Sequence, residues 1–135
     1  MDIFISHCWR FHSEWENFSK TLDEIYKENW RNFSLPWHDP ALSPSNKFGM
    51  EILLNNLKTQ IQPASLVIFL SSLFETESNL KWLEIEMKYA LEMDKSIVGI
   101  INSEKKEFPP NFREHFQLIC KEEIEEIRQA LLSFE

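Results

Sequence analysis

The chain alternates short apolar runs with longer stretches in which apolar residues recur every three or four positions. "DIFIS" at 2–6 predicts a strand. Residues 13–30 place Trp15, Phe18, Leu22, Ile25 and Tyr26 at helical spacing, with Ser13 as a cap and Glu16 three residues on. "NFSL" at 32–35 predicts a short second strand, ended by Pro36. The following "PWHDPALSPSN", 36–46, carries three prolines and predicts a loop. A second helix is predicted over 47–61, with Ile52, Leu53, Leu57 and Ile61 inward, Leu54 beside them, and Pro63 closing it. "SLVIFL" at 65–70 is continuous, apolar and β-branched, the pattern of a parallel strand covered on both faces. "SSLFETES" leads to a helix from about 80 to 93, and "SIVGII" at 96–101 predicts another buried strand. After the polar loop "NSEKKEFPPN" come a last strand at 116–119 and a last helix at 121–134.

Strand and helix thus alternate five times, with the fourth helix reduced or replaced by loop. That order predicts a three-layer, flavodoxin-like α/β fold with a five-stranded parallel sheet, order 2-1-3-4-5. An α+β arrangement is the structural alternative. With 135 residues, the chain is expected to form one domain, 1–135.

The helix at 80–93 contains an anomaly. At about 100° per residue, Glu84, Lys88 and Glu92 share one side as a ladder of opposite charges. Trp82, Leu83, Met87, Tyr89, Ala90 and Met93 form an apolar arc opposite, and Glu86 falls inside it. A carboxylate there is costly unless something uses it. Periodicity alone leaves two readings open: a rim or hydrogen-bonded structural residue, or a functional carboxylate.

The predicted topology brings other polar residues to the same region. In a 2-1-3-4-5 sheet the first and third strands are neighbours, and the crevice outside their carboxyl ends is the favoured ligand site. Ser6 and His7 end the first strand, Ser71 and Ser72 end the third, and the loop at 36–46 leaves the second. Glu86 is expected to open onto this crevice beside residues 4–9, while Glu84 faces solvent near Lys88.

Charge and composition narrow the chemistry. The net charge of -8, with 22 acidic residues against 14 basic, argues against nucleic acid as a partner. No apolar run is long enough to span a bilayer, and no secretory signal is expected. Cys8 and Cys120 show no zinc or redox spacing, which fits a cytoplasmic location. With only Gly49 and Gly99, a dinucleotide-binding or Walker glycine loop is excluded. His38 beside Asp39 is not a diagnostic metal pair, and no metal is expected. Ser71 and Ser72 lack a glycine-flanked nucleophile elbow. The acidic pattern of a phospho-receiver is missing, since Asp2 begins the first strand and the third ends in serine.

Three segments in order, "FISH" at 4–7, "SLVIFLSS" at 65–72 and "WLEIEMKYA" at 82–90, resemble a TIR domain. The last matches that family's tryptophan, three residues, then glutamate, which selects Trp82 and Glu86. "NWRNFSLPWHDPAL" at 29–42 is similar to the bacterial TIR-like proteins of the Thoeris anti-phage defence system. The resemblance covers roughly residues 3–101. It implies an enzyme that cleaves the N-glycosidic bond of NAD, releasing nicotinamide. The product would be a cyclic or conjugated ADP-ribose signal that activates a separate effector. NAD is then a substrate, with no cofactor. On this resemblance Glu86 is catalytic. Ser6, His7, Ser71 and Ser72 line the nicotinamide and ribose region, with aromatic walls drawn from Phe4, Trp9, Phe11, Trp37 and Trp82. The loop beginning Pro36, Trp37, His38 and Asp39 corresponds to a loop used in self-association and substrate access. The other reading from the same resemblance is a non-enzymatic TIR module that acts by self-assembly.

Overall fold

A computed structural model describes residues 1–7, 13–27, 29–34, 47–104 and 107–135. The elements are β1 Asp2–Ile5, α1 Ser13–Tyr26, β2 Arg31–Asn32, α2 Lys47–Ile61, β3 Leu66–Leu70, α3 Leu80–Glu92, β4 Ser96–Ile101, α4 Pro110–Arg113, β5 Leu118–Lys121 and α5 Ile124–Leu132. Two 3-10 segments, Ser71–Glu75 and Glu77–Asn79, join β3 to α3. The sheet order is β2-β1-β3-β4-β5 and every pairing is parallel. Helix α1 packs with α5, and α2 with α3, one pair per face, as right-handed crossovers from this strand order require. This is the expected three-layer, flavodoxin-like α/β fold. No helix among the described residues is long and apolar enough to cross a membrane.

The central strands are buried for the reason their composition suggests. All five residues of β3 are buried, as are Ile97, Val98 and Ile100 of β4. Helices cover both faces, so neither strand needs alternating polar residues. Leu53, Leu57 and Ile61 of α2 are buried, whereas Ile52 and Leu54 are half-buried.

The boundaries of four elements depart from the sequence expectation, each for a local reason. Helix α1 stops at Tyr26, not 30, because Lys27 takes a left-handed backbone (φ 54°) while its N–H still donates to the Asp23 carbonyl. Ser13 is the first helical residue and its hydroxyl faces Glu14, not the Glu16 amide. Strand β2 pairs only at Arg31 and Asn32, one residue earlier than expected. Beyond it the Ser34 amide is taken by the Asn32 side chain, and Leu35 lies outside the described residues. Strand β5 begins two residues late, at Leu118. Phe116 instead stacks on Phe69, and Gln117 exchanges hydrogen bonds with Ile97 through its backbone and its side chain. Helix α5 begins at Ile124 because Lys121 is still in the ladder opposite Ile101. The reduced fourth helix is a single turn, α4.

Candidate functional site

Helix α3 carries the central residue. Its apolar arc packs inward, burying Trp82, Leu83, Met87, Tyr89 and Ala90, while Glu84, Lys88 and Glu92 are exposed. Lys88 pairs weakly with Glu92, at 3.9 Å. Glu86 lies within the buried arc at 0% exposure. The helix starts from the carboxyl end of β3 and runs back toward the start of β4. Helical Cα–Cβ bonds tilt toward the helix N-terminus, which on α3 is the end nearer the carboxyl edge of the sheet. The two glutamates are therefore as different as their phases predict. Glu86 has no exposed surface, and Trp82 (4% exposed) one turn before it and Ala90 (0%) one turn after are buried as well. Residues 8 and 9 of the crevice it is expected to open onto lie outside the described residues.

The exit of β1 is equally enclosed. Phe4 and Ser6 are fully buried and His7 is 2% exposed. The Ser6 N–H donates to the Ile68 carbonyl at 2.9 Å and so prolongs the β1–β3 ladder by one step. Its hydroxyl is buried and has no hydrogen-bond partner among the described residues. His7 Nε2 lies 3.3 Å from Gln60 Oε1 on α2. An amide oxygen only accepts, so with that assignment the imidazole donates from Nε2. The Phe4 ring centroid is 5.6 Å from that of His7. His7 therefore faces α2, the helix that packs against α3, where Lys58 Nζ lies 5.0 Å from the Tyr89 ring centroid. Burial pushes the Tyr89 phenol above its usual value, with Glu92 adding to the shift.

The exit of β3 is held by a residue that sequence reasoning missed. Asn102, the first residue after β4, bridges the two strand ends. Its Oδ1 accepts the Ser72 N–H at 2.8 Å, and its Nδ2 donates to Ser72 Oγ at 2.9 Å. Its own N–H donates to Ser71 Oγ at 3.1 Å. Ser71 Oγ in turn lies 3.2 Å from Asn102 Oδ1 and 3.3 Å from Ser103 Oγ. The signal was an asparagine just past an apolar strand, where the last ladder groups need partners. Ser71 is fully buried in this network and Ser72 half-buried.

The fold thus gathers Phe4, Ser6 and His7 at one strand end and Ser71 and Ser72 at its neighbour, since Ile5 pairs with Ile68. Trp82 and Glu86 come from the helix that leaves β3. Pro36, Trp37, His38 and Asp39 lie outside the described residues, as do Trp9 and Phe11. Among the described residues, no three His, Cys, Asp or Glu side chains gather as metal ligands would. Three surface concavities are lined by other residues. One of about 530 Å³ lies between β5 and α5, and one of about 330 Å³ between α3 and α4. The third, about 720 Å³, lies beyond β4 and β5 and borders Asn102 and Ser103. Burial raises the Glu122 carboxyl in that third concavity, and pushes the Cys120 thiol in the first to about 11, with Glu126 contributing. We place the candidate chemistry at Glu86 rather than in the larger hollows, because among the described residues it is the one buried carboxyl.

No protein-family model matches the chain, and no curated protein matches it. Among solved structures it is similar to the CMP N-glycosidase of Clostridium botulinum, with a TM-score of 0.60 and 14% sequence identity, over 98% of this chain and 99% of that one. The likeness is one of fold, from end to end.

Proposed function

We propose that this protein is a TIR-like enzyme of bacterial anti-phage defence that cleaves the N-glycosidic bond of NAD. The observation that carries the reading is Glu86, a fully buried carboxyl on an otherwise apolar face of the helix that leaves the carboxyl end of β3 in a doubly wound sheet. The Thoeris-like segments supply the substrate, and the fold shared with a CMP N-glycosidase supports the class of bond.

The chemistry suits a carboxylate. As nicotinamide leaves, the C1′–N bond electrons go with it and positive charge develops on the ribose ring. An ionised Glu86 stabilises that charge and orients the ribose hydroxyls. With water as the nucleophile, NAD and water give nicotinamide, ADP-ribose and a proton. In signal synthesis a group of the ADP-ribose itself, or of a second molecule, replaces water, giving a cyclic or conjugated product. Exclusion of water then favours the product, and the closed surroundings of Glu86 fit that requirement. Substrate contact requires the cover over Glu86 to open. Ser6 Oγ, buried beside His7, is a hydroxyl that the substrate can engage, and Phe4 and Trp82 are the apolar walls. Ser71 and Ser72 shape the floor through Asn102. The product acts on a separate effector, the enzyme works in the cytoplasm, and self-association through the loop at 36–46 regulates access.

A second reading is favoured by the fold likeness: the substrate is a nucleoside monophosphate, as the name of the Clostridium botulinum protein describes for that enzyme. Both readings break an N-glycosidic bond. Wild-type protein is incubated with NAD and, separately, with CMP, with and without lysate of phage-infected cells, and free base is resolved by chromatography. Nicotinamide from NAD supports the first reading, and cytosine from CMP alone replaces it with the second. Release of neither base under any condition leaves the assembly module as the function.

A further inference from the structure

The connection between β3 and α3 is unusual in how it is held. Residues 71–79 hold two 3-10 segments, Ser71–Glu75 and Glu77–Asn79, on either side of an extended Thr76, and 3-10 geometry has weaker hydrogen bonds than an α-helix or a sheet. Neither segment has a side-chain cap, and nor does α3. Asn79 occupies the N-cap position of α3, where asparagine ordinarily accepts from the first helical amides. Here its Nδ2 donates instead to the Leu73 carbonyl at 3.0 Å, inside the connection. Helix-start stabilisation is given up and the connection is stiffened. At the other end, Asn102 spans the two hydroxyls and one amide of Ser71 and Ser72. Two asparagines thus grip a short segment whose only exit is the helix bearing Glu86.

We infer that Asn102 is a positioning residue: by clamping the start of this connection, it sets where α3 holds the Glu86 carboxyl. The clamp is a short-range device. Its Oδ1 takes a backbone N–H that no strand partner reaches beyond Leu70, the last β3 residue in the ladder with β4. Its Nδ2 adds the side-chain bond that fixes the first turn. Loss of both frees that turn, and with it the axial position of α3, while leaving the β3–β4 ladder intact. The effect on turnover rests on the proposed role of Glu86; the effect on the connection does not.

The test compares wild type with Asn102→Ala and Asn102→Asp, the latter retaining an oxygen to accept the Ser72 N–H. Backbone hydrogen exchange is followed by mass spectrometry, and nicotinamide release from NAD is measured in parallel. In Asn102→Ala, exchange over residues 71–79 rises at least tenfold while residues 66–70 keep wild-type protection. The kcat falls at least tenfold with KM within twofold. Asn102→Asp retains most of both the protection and the kcat. Unchanged exchange over 71–79 in Asn102→Ala overturns the inference, as does equal disturbance by Ala and Asp. If Asn102→Ala fails to fold, Ser72→Ala removes only the acceptor of Asn102 Nδ2. A roughly threefold rise in exchange over 71–79 then supports the clamp, and wild-type exchange refutes it. If wild type itself releases no nicotinamide, the proposed function fails, and the exchange arm still decides the inference.

Discussion

Replacing Gly99 with alanine probes the packing beneath β4. A Cβ at Gly99 meets Phe116 Cε2 and Cδ2 at 2.7 and 2.8 Å, and Phe108 Cε2 at 2.9 Å. Carbon atoms rest at about 3.5–4.0 Å, so both rings must retreat by roughly 1 Å. Neither ring is free to do so. Phe116 stacks on Phe69 at 5.9 Å and meets Phe108 edge-on at 4.8 Å, while Phe108 meets Phe74 edge-on at 5.3 Å. Overpacking of this kind costs about 1–3 kcal/mol. Alanine recovers about 0.5–1 kcal/mol of backbone entropy relative to glycine. No described glycine has a positive φ, so no further backbone strain enters. The expected net loss is about 1–2 kcal/mol, or roughly 3–8 °C in Tm for a chain of this size. Urea unfolding followed by circular dichroism reads it, with Phe116→Leu added to relieve the clash. The double variant should lose less than the sum of the two single losses. A Gly99→Ala protein as stable as wild type, or more so, would refute the packing argument.

Further outcomes follow from charge and burial. The Arg31 guanidinium grips Asp2 through two hydrogen bonds of 2.7 Å and holds its carboxyl below the ordinary 3.8. Because the folded value is depressed, this stabilisation is complete above 3.8 and is lost as pH falls through the folded value. Asp2→Asn therefore has a lower urea midpoint than wild type at pH 7, and the gap closes in strong acid; a constant gap contradicts the pairing. In a Cys8→Ser background, Cys120 reacts with iodoacetamide at pH 8 roughly a hundredfold more slowly than a free thiol, since burial holds it at about 11. A rate near that of free cysteine would mean the β5–α5 region opens readily.

Much of the fold was legible because its central strands are long, apolar runs with no competing period. "SLVIFL" and "SIVGII" read as buried parallel strands, and they are β3 and β4. The ends of α1, β2, β5 and α5 were not legible, because tertiary pairings decide them. Nothing in "YKEN" announces a left-handed Lys27, where glycine is the usual stop signal. Phe116 looks like a strand residue by composition, but its ring belongs to the cluster beside Gly99. At the site, Glu86 was visible because one carboxyl broke an otherwise apolar helical arc. Its enclosure was not, since helical phase says which side a residue faces and not what covers it. Asn102 left no periodic trace. A single asparagine after a strand acquires meaning only when the neighbouring strand end, Ser71 and Ser72, lies beside it.

The central claim is that Glu86, and not its neighbour Glu84, is the reacting carboxylate. The direct test is the rate of nicotinamide release from NAD by wild type, Glu86→Gln and Glu84→Gln, each shown by circular dichroism to be folded. Loss of one electrostatic stabiliser costs about 10²–10³-fold in rate. Glu86→Gln should fall by at least a hundredfold, while Glu84→Gln, exposed on the opposite side of α3, stays within twofold of wild type. A folded Glu86→Gln protein that releases nicotinamide as fast as wild type would contradict the account.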